Sequence, residues 1–232
     1  MQKLKDLFNI KEKDIISITG AGGKTTLMFT LANELKNYGS VLVTTSTKIA
    51  IPDAGFDKIY ISSDDYQKPE PGQIVVLGEK VLGKEKLGFI GYEKLNEIRK
   101  DFDFTIIEAD GCRNMPVKFW KDHEPVICDF TDKTIGILSI KTYGKVPDKE
   151  FIYNYDGFVE FCGKNVIDYK TFNRLISYDM GLFKNFNKEC IVFFNQVEED
   201  NDFKNINEII ANKEFTYPLY YGSLIRKDYY EN

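Results

Sequence analysis

The chain has 232 residues, 43% of them hydrophobic and 29% charged, enough apolar material to bury a sizeable core without disulfides or a structural metal. Its formal net charge of -5 argues against a general affinity for nucleic acid, which needs a clustered positive surface. The start after Met1 is polar and charged rather than signal-like, and no run of about 18 apolar residues occurs, so a cytoplasmic protein without a membrane partner is expected.

The first apolar run, Ile15 to Thr19, is bounded by glycine and reads as a strand buried on both faces. It runs into Gly20-Ala21-Gly22-Gly23-Lys24-Thr25-Thr26. An amphipathic helix follows from Lys24 to Asn37, with Leu27, Leu31 and Leu35 on one stripe and Gly39 as a stop signal. The next strand, Val41 to Thr45, opens a hydroxyl-rich turn ending at Thr47 and Lys48. Strands at Ile59 to Ile61 and Ile74 to Leu77 flank a surface loop marked by Pro69, Pro71 and Gly72.

Lys80 to Ile90 has glycines on both sides of a charged turn and predicts a small β-hairpin insertion. A helix from Tyr92 to Lys100 then leads to a strand at Phe104 to Ala109. The strand at Thr134 to Ile140 precedes a loop at Gly144 to Pro147, and the helix at Thr171 to Ser177 precedes the strand at Cys190 to Phe194 and the helix at Asp202 to Ala211. Strands alternating with helices imply right-handed βαβ crossovers and a mostly parallel sheet flanked by helices, an α/β fold in a single domain, 1–232.

Cys112, Cys128, Cys162 and Cys190 form no C-x-x-C pair, and the sole histidine is His123, so reduced thiols and no zinc site are expected.

A strand, a glycine turn, Lys-Thr-Thr and a helix in that order meet the physical requirement for a phosphate cradle. Glycines let backbone N–H groups converge on an anion, and the helix adds its unpaired N-terminal N–H groups and dipole. Gly20, Ala21, Gly22, Gly23, Lys24, Thr25 and Thr26 are the nucleotide-binding candidates. Lys24 would reach the β- and γ-phosphates, and the Thr25 hydroxyl would ligate Mg²⁺. The loop is shorter than G-x-x-x-x-G-K-[ST], because Ile18 stands where the first glycine would fall. It resembles the compact ATP loop of the Mur ligases. The signature lysine of MinD-like proteins would fall at Thr19, so that activation mechanism does not carry over.

The strand ending Ile107-Glu108-Ala109-Asp110-Gly111 resembles a Walker B strand, in which a carboxylate meets Mg²⁺ at the sheet edge. Residues two apart on a strand face one way, so Glu108 and Asp110 are both catalytic candidates, with Asp110 the metal candidate and the roles interchangeable. Thr45 and Thr47 place hydroxyls at the same edge. Asn195-Gln196-Val197-Glu198 stands where guanine-reading N-K-x-D motifs sit, which makes Asn195 a base-contact candidate. Gln196 and Glu198 depart from that motif and leave ATP and GTP both open.

Together Ile-Thr-Gly-Ala-Gly-Gly-Lys-Thr-Thr, Val-Leu-Val-Thr-Thr-Ser-Thr-Lys, Ile-Glu-Ala-Asp-Gly-Cys-Arg, Pro116-Val117-Lys118, His123-Glu124-Pro125-Val126 and Asn195-Gln196-Val197-Glu198 resemble the YqeC family. The resemblance implies a P-loop fold and an accessory role in maturing a selenium-dependent molybdenum hydroxylase or its cofactor. Within the stretch it singles out, Arg113 and Lys118 are candidates to clamp phosphate or a second, anionic ligand such as a pterin phosphate or an oxyanion, with Thr45, Thr47 and His123 as further candidates and His123 a candidate proton carrier. Phe151-Ile152-Tyr153-Asn154 stands where the family pattern has a basic residue, which leaves the third wall of the site unassigned. Hydrolysis of a Mg-bound nucleotide, transfer to an acceptor as by a ligase or kinase, and a non-catalytic nucleotide-controlled adaptor all remain open.

Overall fold

The computed structural model describes residues 2–186 and 188–232. In chain order the elements are α1 (Leu4–Leu7), β1 (Ile15–Gly20), α2 (Lys24–Leu35), β2 (Val41–Thr45), β3 (Lys48–Ala50), β4 (Lys58–Tyr60), β5 (Ile74–Leu77), β6 (Glu79–Lys80), β7 (Lys86–Gly88) and α3 (Tyr92–Ile98). They continue with β8 (Phe104–Glu108), β9 (Val117–Lys118), β10 (Lys133–Ser139), β11 (Ile152–Tyr153), α4 (Tyr155–Cys162), α5 (Tyr169–Ile176), β12 (Glu189–Asn195), α6 (Asp200–Ala211), β13 (Leu219–Ser223) and β14 (Asp228–Glu231).

A 9-stranded sheet runs β14-β13-β12-β10-β1-β8-β2-β5-β4, parallel throughout except for the β13–β14 hairpin. This is the expected mostly parallel, P-loop NTPase-like α/β arrangement. β1 lies in the middle, between β10 and β8, and all six of its residues are buried. Neighbouring residues along a strand serve opposite cores, as a two-residue period dictates. Ile191 and Phe193 of β12 join Leu4, Phe8, Leu27 and Leu31 under α1 and α2, whereas Val192 and Phe194 join Phe158, Phe172 and Ile206 under α4, α5 and α6. A third cluster packs Leu95 and Ile98 of α3 on Leu42 and Val75.

The predicted hairpin is present as antiparallel β6 and β7, and β3 adds to it to make a 3-stranded sheet. Helix ends differ from expectation by a residue or two because the final turns fray or tighten. α4 was not foreseen. Gly157 lowers its helix propensity, but a Cβ there would lie 2.9 Å from the Phe119 ring, so close packing requires the glycine. The tyrosine-rich β13 and β14 were also unforeseen, and they complete the sheet edge beside β12.

Among the described residues no helix is long and apolar enough to cross a membrane.

Candidate nucleotide site

The carboxyl end of β1 enters a turn held by its neighbours. The Ala21 N–H donates to Ile137 O (2.9 Å), the Gly20 N–H to Asp110 Oδ2 (2.9 Å), and Asn195 Nδ2 to Gly22 O (2.8 Å). Gly22 and Gly23 have φ of 101° and 127°, which disfavours any side chain. A Cβ at Gly22 would also lie 2.7 Å from Ser139 Cβ. Gly23 is the N-cap of α2 and supplies no side-chain cap. α5 and α6 differ, since each closes its first turn with a capping box, Asp168 with Thr171 and Glu199 with Asp202. The start of α2, like those of α1, α3 and α4, has no side-chain cap, and Gly22 to Thr26 around it line a cleft.

That cleft, about 910 Å³, brings together Gly22, Gly23, Lys24, Thr25, Thr26, Thr47, Glu108, Arg113, His123 and Asn195. Thr25 Oγ1 lies 3.4 Å from Glu108 Oε2. Burial raises the Glu108 carboxyl above its ordinary value, an effect that the nearby Lys24 ammonium opposes. For Lys24, burial favours the neutral form, but Asp110 and Glu108 outweigh it and hold the ammonium charged well above the ordinary lysine range. Lys24 Nζ donates to Gly20 O (2.6 Å).

Asp110 departs from expectation. β8 ends at Glu108, so the strand alternation that would have aimed both acids at a ligand no longer holds two residues on. Asp110 is fully buried behind the glycine turn and does not line the cleft. Its Oδ2 accepts from the Gly20 N–H and from Trp120 Nε1 (2.8 Å). Its Oδ1 sits 3.1 Å from Lys24 Nζ, an ion pair without hydrogen-bond alignment. Of the two candidate metal acids, Glu108 is the one at the cleft.

Lys118 is likewise enclosed, which corrects its assignment to a second ligand. Its Nζ donates to Gly111 O (2.5 Å) and Glu124 Oε2 (2.8 Å) and lies 3.5 Å from Asp110 Oδ2. Thr45 is buried and shapes its turn, donating to Glu108 O (2.8 Å) and accepting from the Thr47 N–H (3.0 Å). Gly20 and Ala21 lie behind the cleft wall. Arg113 and His123 are exposed at the rim.

Sequence reasoning missed Trp120, which only its buried hydrogen bond reveals, and Tyr153, which fills the unassigned third wall. The parallel pair β9–β11 brings Tyr153 to the cleft, with the Arg113 guanidinium 5.8 Å from its ring centre. Arg113 and Asn114 are consecutive residues at positive φ, 51° and 61°, which turns the chain sharply at this rim. It also missed Leu224 and Ile225, which line the opposite end.

The donor set suits a hard cation that keeps phosphate and water ligands. Thr25 and Glu108 offer oxygen, and among the described residues no group of three or more His, Cys, Asp or Glu could cage a metal without such help.

A family model described as YqeC protein matches residues 16–156. The chain is 29% identical over 225 residues to the uncharacterized protein YqeC of Escherichia coli (strain K12), covering 92% of this chain and 86% of that one. No solved structure matched significantly. With more than half of its length matched by the family model, the chain belongs to the YqeC family.

Proposed function

We propose that this protein binds a Mg²⁺-nucleoside triphosphate in the cleft and hydrolyses it. The observation that carries this reading is the uncapped start of α2 opening, through Gly22 to Thr26, onto a cleft whose nearest acid is Glu108. Backbone N–H groups and the helix dipole hold the β- and γ-phosphates, and Lys24 supplies a fixed positive charge beside them. Thr25 and Glu108 hold the cation, which when bound neutralises charge on the phosphate oxygens. Glu108, partly freed of water by burial, also orients the attacking water. The biological setting we propose is the one implied by the family resemblance, maturation of a selenium-dependent molybdenum hydroxylase or its cofactor.

Lys24→Ala is expected to abolish nucleotide binding and to lower stability as well, by less than loss of Asp110 would, because Asp110 keeps Lys118 as a charged neighbour. At a ligand concentration of about one hundred times Kd, wild-type protein gains about 2.7 kcal/mol, read as a thermal shift. A variant that retains the full shift shows that the phosphates are held elsewhere.

Transfer to an acceptor is favoured as a second reading by one observation, the continuation of the cleft past Glu108 to Arg113, His123 and Tyr153. Phosphate release under multiple turnover, with and without anionic acceptors, separates the two. Stimulation that is lost in Arg113→Ala supports transfer, and tight binding without turnover supports the adaptor role.

A further inference from the structure

On the side of the glycine turn away from Glu108, the cleft runs over Gln196, Leu224 and Ile225, at the ends of β12 and β13. These strands lie on the opposite flank of β1 from β8. A nucleotide whose terminal phosphate faces Glu108 therefore places its base here.

The polar groups at this end are largely consumed. Asn195 donates to Gly22 O, and its Oδ1 accepts from the Leu224 N–H (3.1 Å), so it braces the turn. Glu198, at the position of a guanine-reading acid, accepts from Ser223 Oγ (2.8 Å) and does not line the cleft. Gln196 does line it, on backbone at φ 69°, and its Oε1 accepts from Ser139 Oγ (2.5 Å). That bond occupies Oε1, and among the described residues the Gln196 Nε2 makes no hydrogen bond, which leaves this donor available to a ligand. The facing wall is aliphatic, with Leu224 buried and Ile225 80% exposed at the mouth, where a flat ring would cover it.

Among the described residues lining the cleft, the carboxylates are Glu108, beside Thr25, and Glu124, paired with Lys118. The base end thus offers an amide donor and apolar surface without a carboxylate. Guanine presents N1–H and N2–H₂ donors that need an acceptor, whereas adenine presents a ring-nitrogen acceptor at N1. We infer that the cleft selects adenine over guanine nucleotides, with Gln196 donating to an adenine ring nitrogen and Leu224 and Ile225 covering the base. This rests on the nucleotide reading above. Guanine is rejected because its two donors would be desolvated unpaired.

Calorimetric titration of the full chain with Mg-ATP, Mg-GTP and Mg-tripolyphosphate tests it. ATP is expected to bind about tenfold or more tighter than GTP. Gln196→Glu, which supplies an acceptor, is expected to shrink or invert that ratio. Ile225→Ala, at an exposed position that folding does not need, is expected to weaken both nucleotides by roughly three- to tenfold and leave the ratio intact. Equal or tighter GTP binding overturns the adenine assignment and spares the phosphate site. Tripolyphosphate binding as tight as ATP also overturns it, since the base then makes no contact. An unchanged ratio in Gln196→Glu removes Gln196 from the mechanism of selection. Failure of all three ligands to bind overturns the nucleotide reading itself.

Discussion

The turn after β1 and the loop after β8 leave neighbouring strands at the same edge of the sheet, and they are held in contrasting ways. The first is shaped by backbone: N–H groups pair with Ile137 O and Asp110, and glycines sit where a Cβ would strike Ser139 or Asn195. The second is shaped by enclosed side chains, with Asp110, Lys118, Trp120 and Glu124 linked in one buried network. A cradle for a large anion, the role proposed for the first, must expose donors and exclude side chains. The wall behind it is free to use charge, provided every charge has a partner. The two regions meet at Asp110, which accepts from Gly20 and faces both lysines.

That meeting point gives the largest expected effect. Asp110→Ala leaves Lys24 and Lys118 buried without the carboxylate between them and is expected to cost about 3–5 kcal/mol in urea denaturation. Asp110→Asn keeps an acceptor for Gly20 and Trp120 and should cost less. A loss under about 1 kcal/mol in the alanine variant would break the contrast, since the loop after β8 would then stand without its charges.

In the backbone-built turn, Gly22→Ala brings a Cβ against Ser139 at φ 101°, and the expected cost is about 1–3 kcal/mol together with weakened nucleotide binding. An unaffected variant would show that the turn adapts and that its glycines are not geometrically required.

The smallest effect concerns Glu108, where burial raises the carboxyl pKa above the ordinary glutamate value of 4.5. The unfolded chain ionises first as pH rises, so ionisation favours unfolding, and the wild type loses stability between the ordinary value and the raised one. Glu108→Gln does not titrate. It is expected to raise Tm near neutral pH, with the gain fading as pH falls from the raised value towards the ordinary glutamate value and gone below it. A variant that is less stable at neutral pH would mean that the Glu108 charge is a net support of Lys24, which would sharpen the contrast in the opposite sense.

The same contrast explains what was legible in the sequence. A backbone-built turn advertises itself, because Gly20, Gly22, Gly23 and the Lys-Thr-Thr that follows are chosen for geometry that other residues cannot reach. The central strands were legible too, since burial on both faces leaves Ile- and Val-rich runs. The charge-built loop was not. Its acids and lysines look alike whether they face ligand or one another, and the end of β8 at Glu108, which turns Asp110 inward, leaves no mark in the pattern. Lys118 was therefore placed in a ligand site when it is neutralised by Glu124. The β13–β14 hairpin went unread although tyrosines flank its turn. Gly222 there hides its own purpose: a Cβ at that position would lie 2.0 Å from Asp228 O, a constraint set entirely by the strand across from it.

The central place of β1 also has a consequence in time. Its neighbours β8 and β10 begin only at Phe104 and Lys133, and the turn that follows it is fixed by Ile137, Ser139 and Asn195. At synthesis rates of about 5–20 residues per second, a ribosome making this chain carries the Gly-Lys-Thr segment for on the order of ten seconds before its last brace emerges. The phosphate-holding capacity proposed for this turn would then arrive late and in one step, as a property of the assembled sheet rather than of the short segment that encodes it.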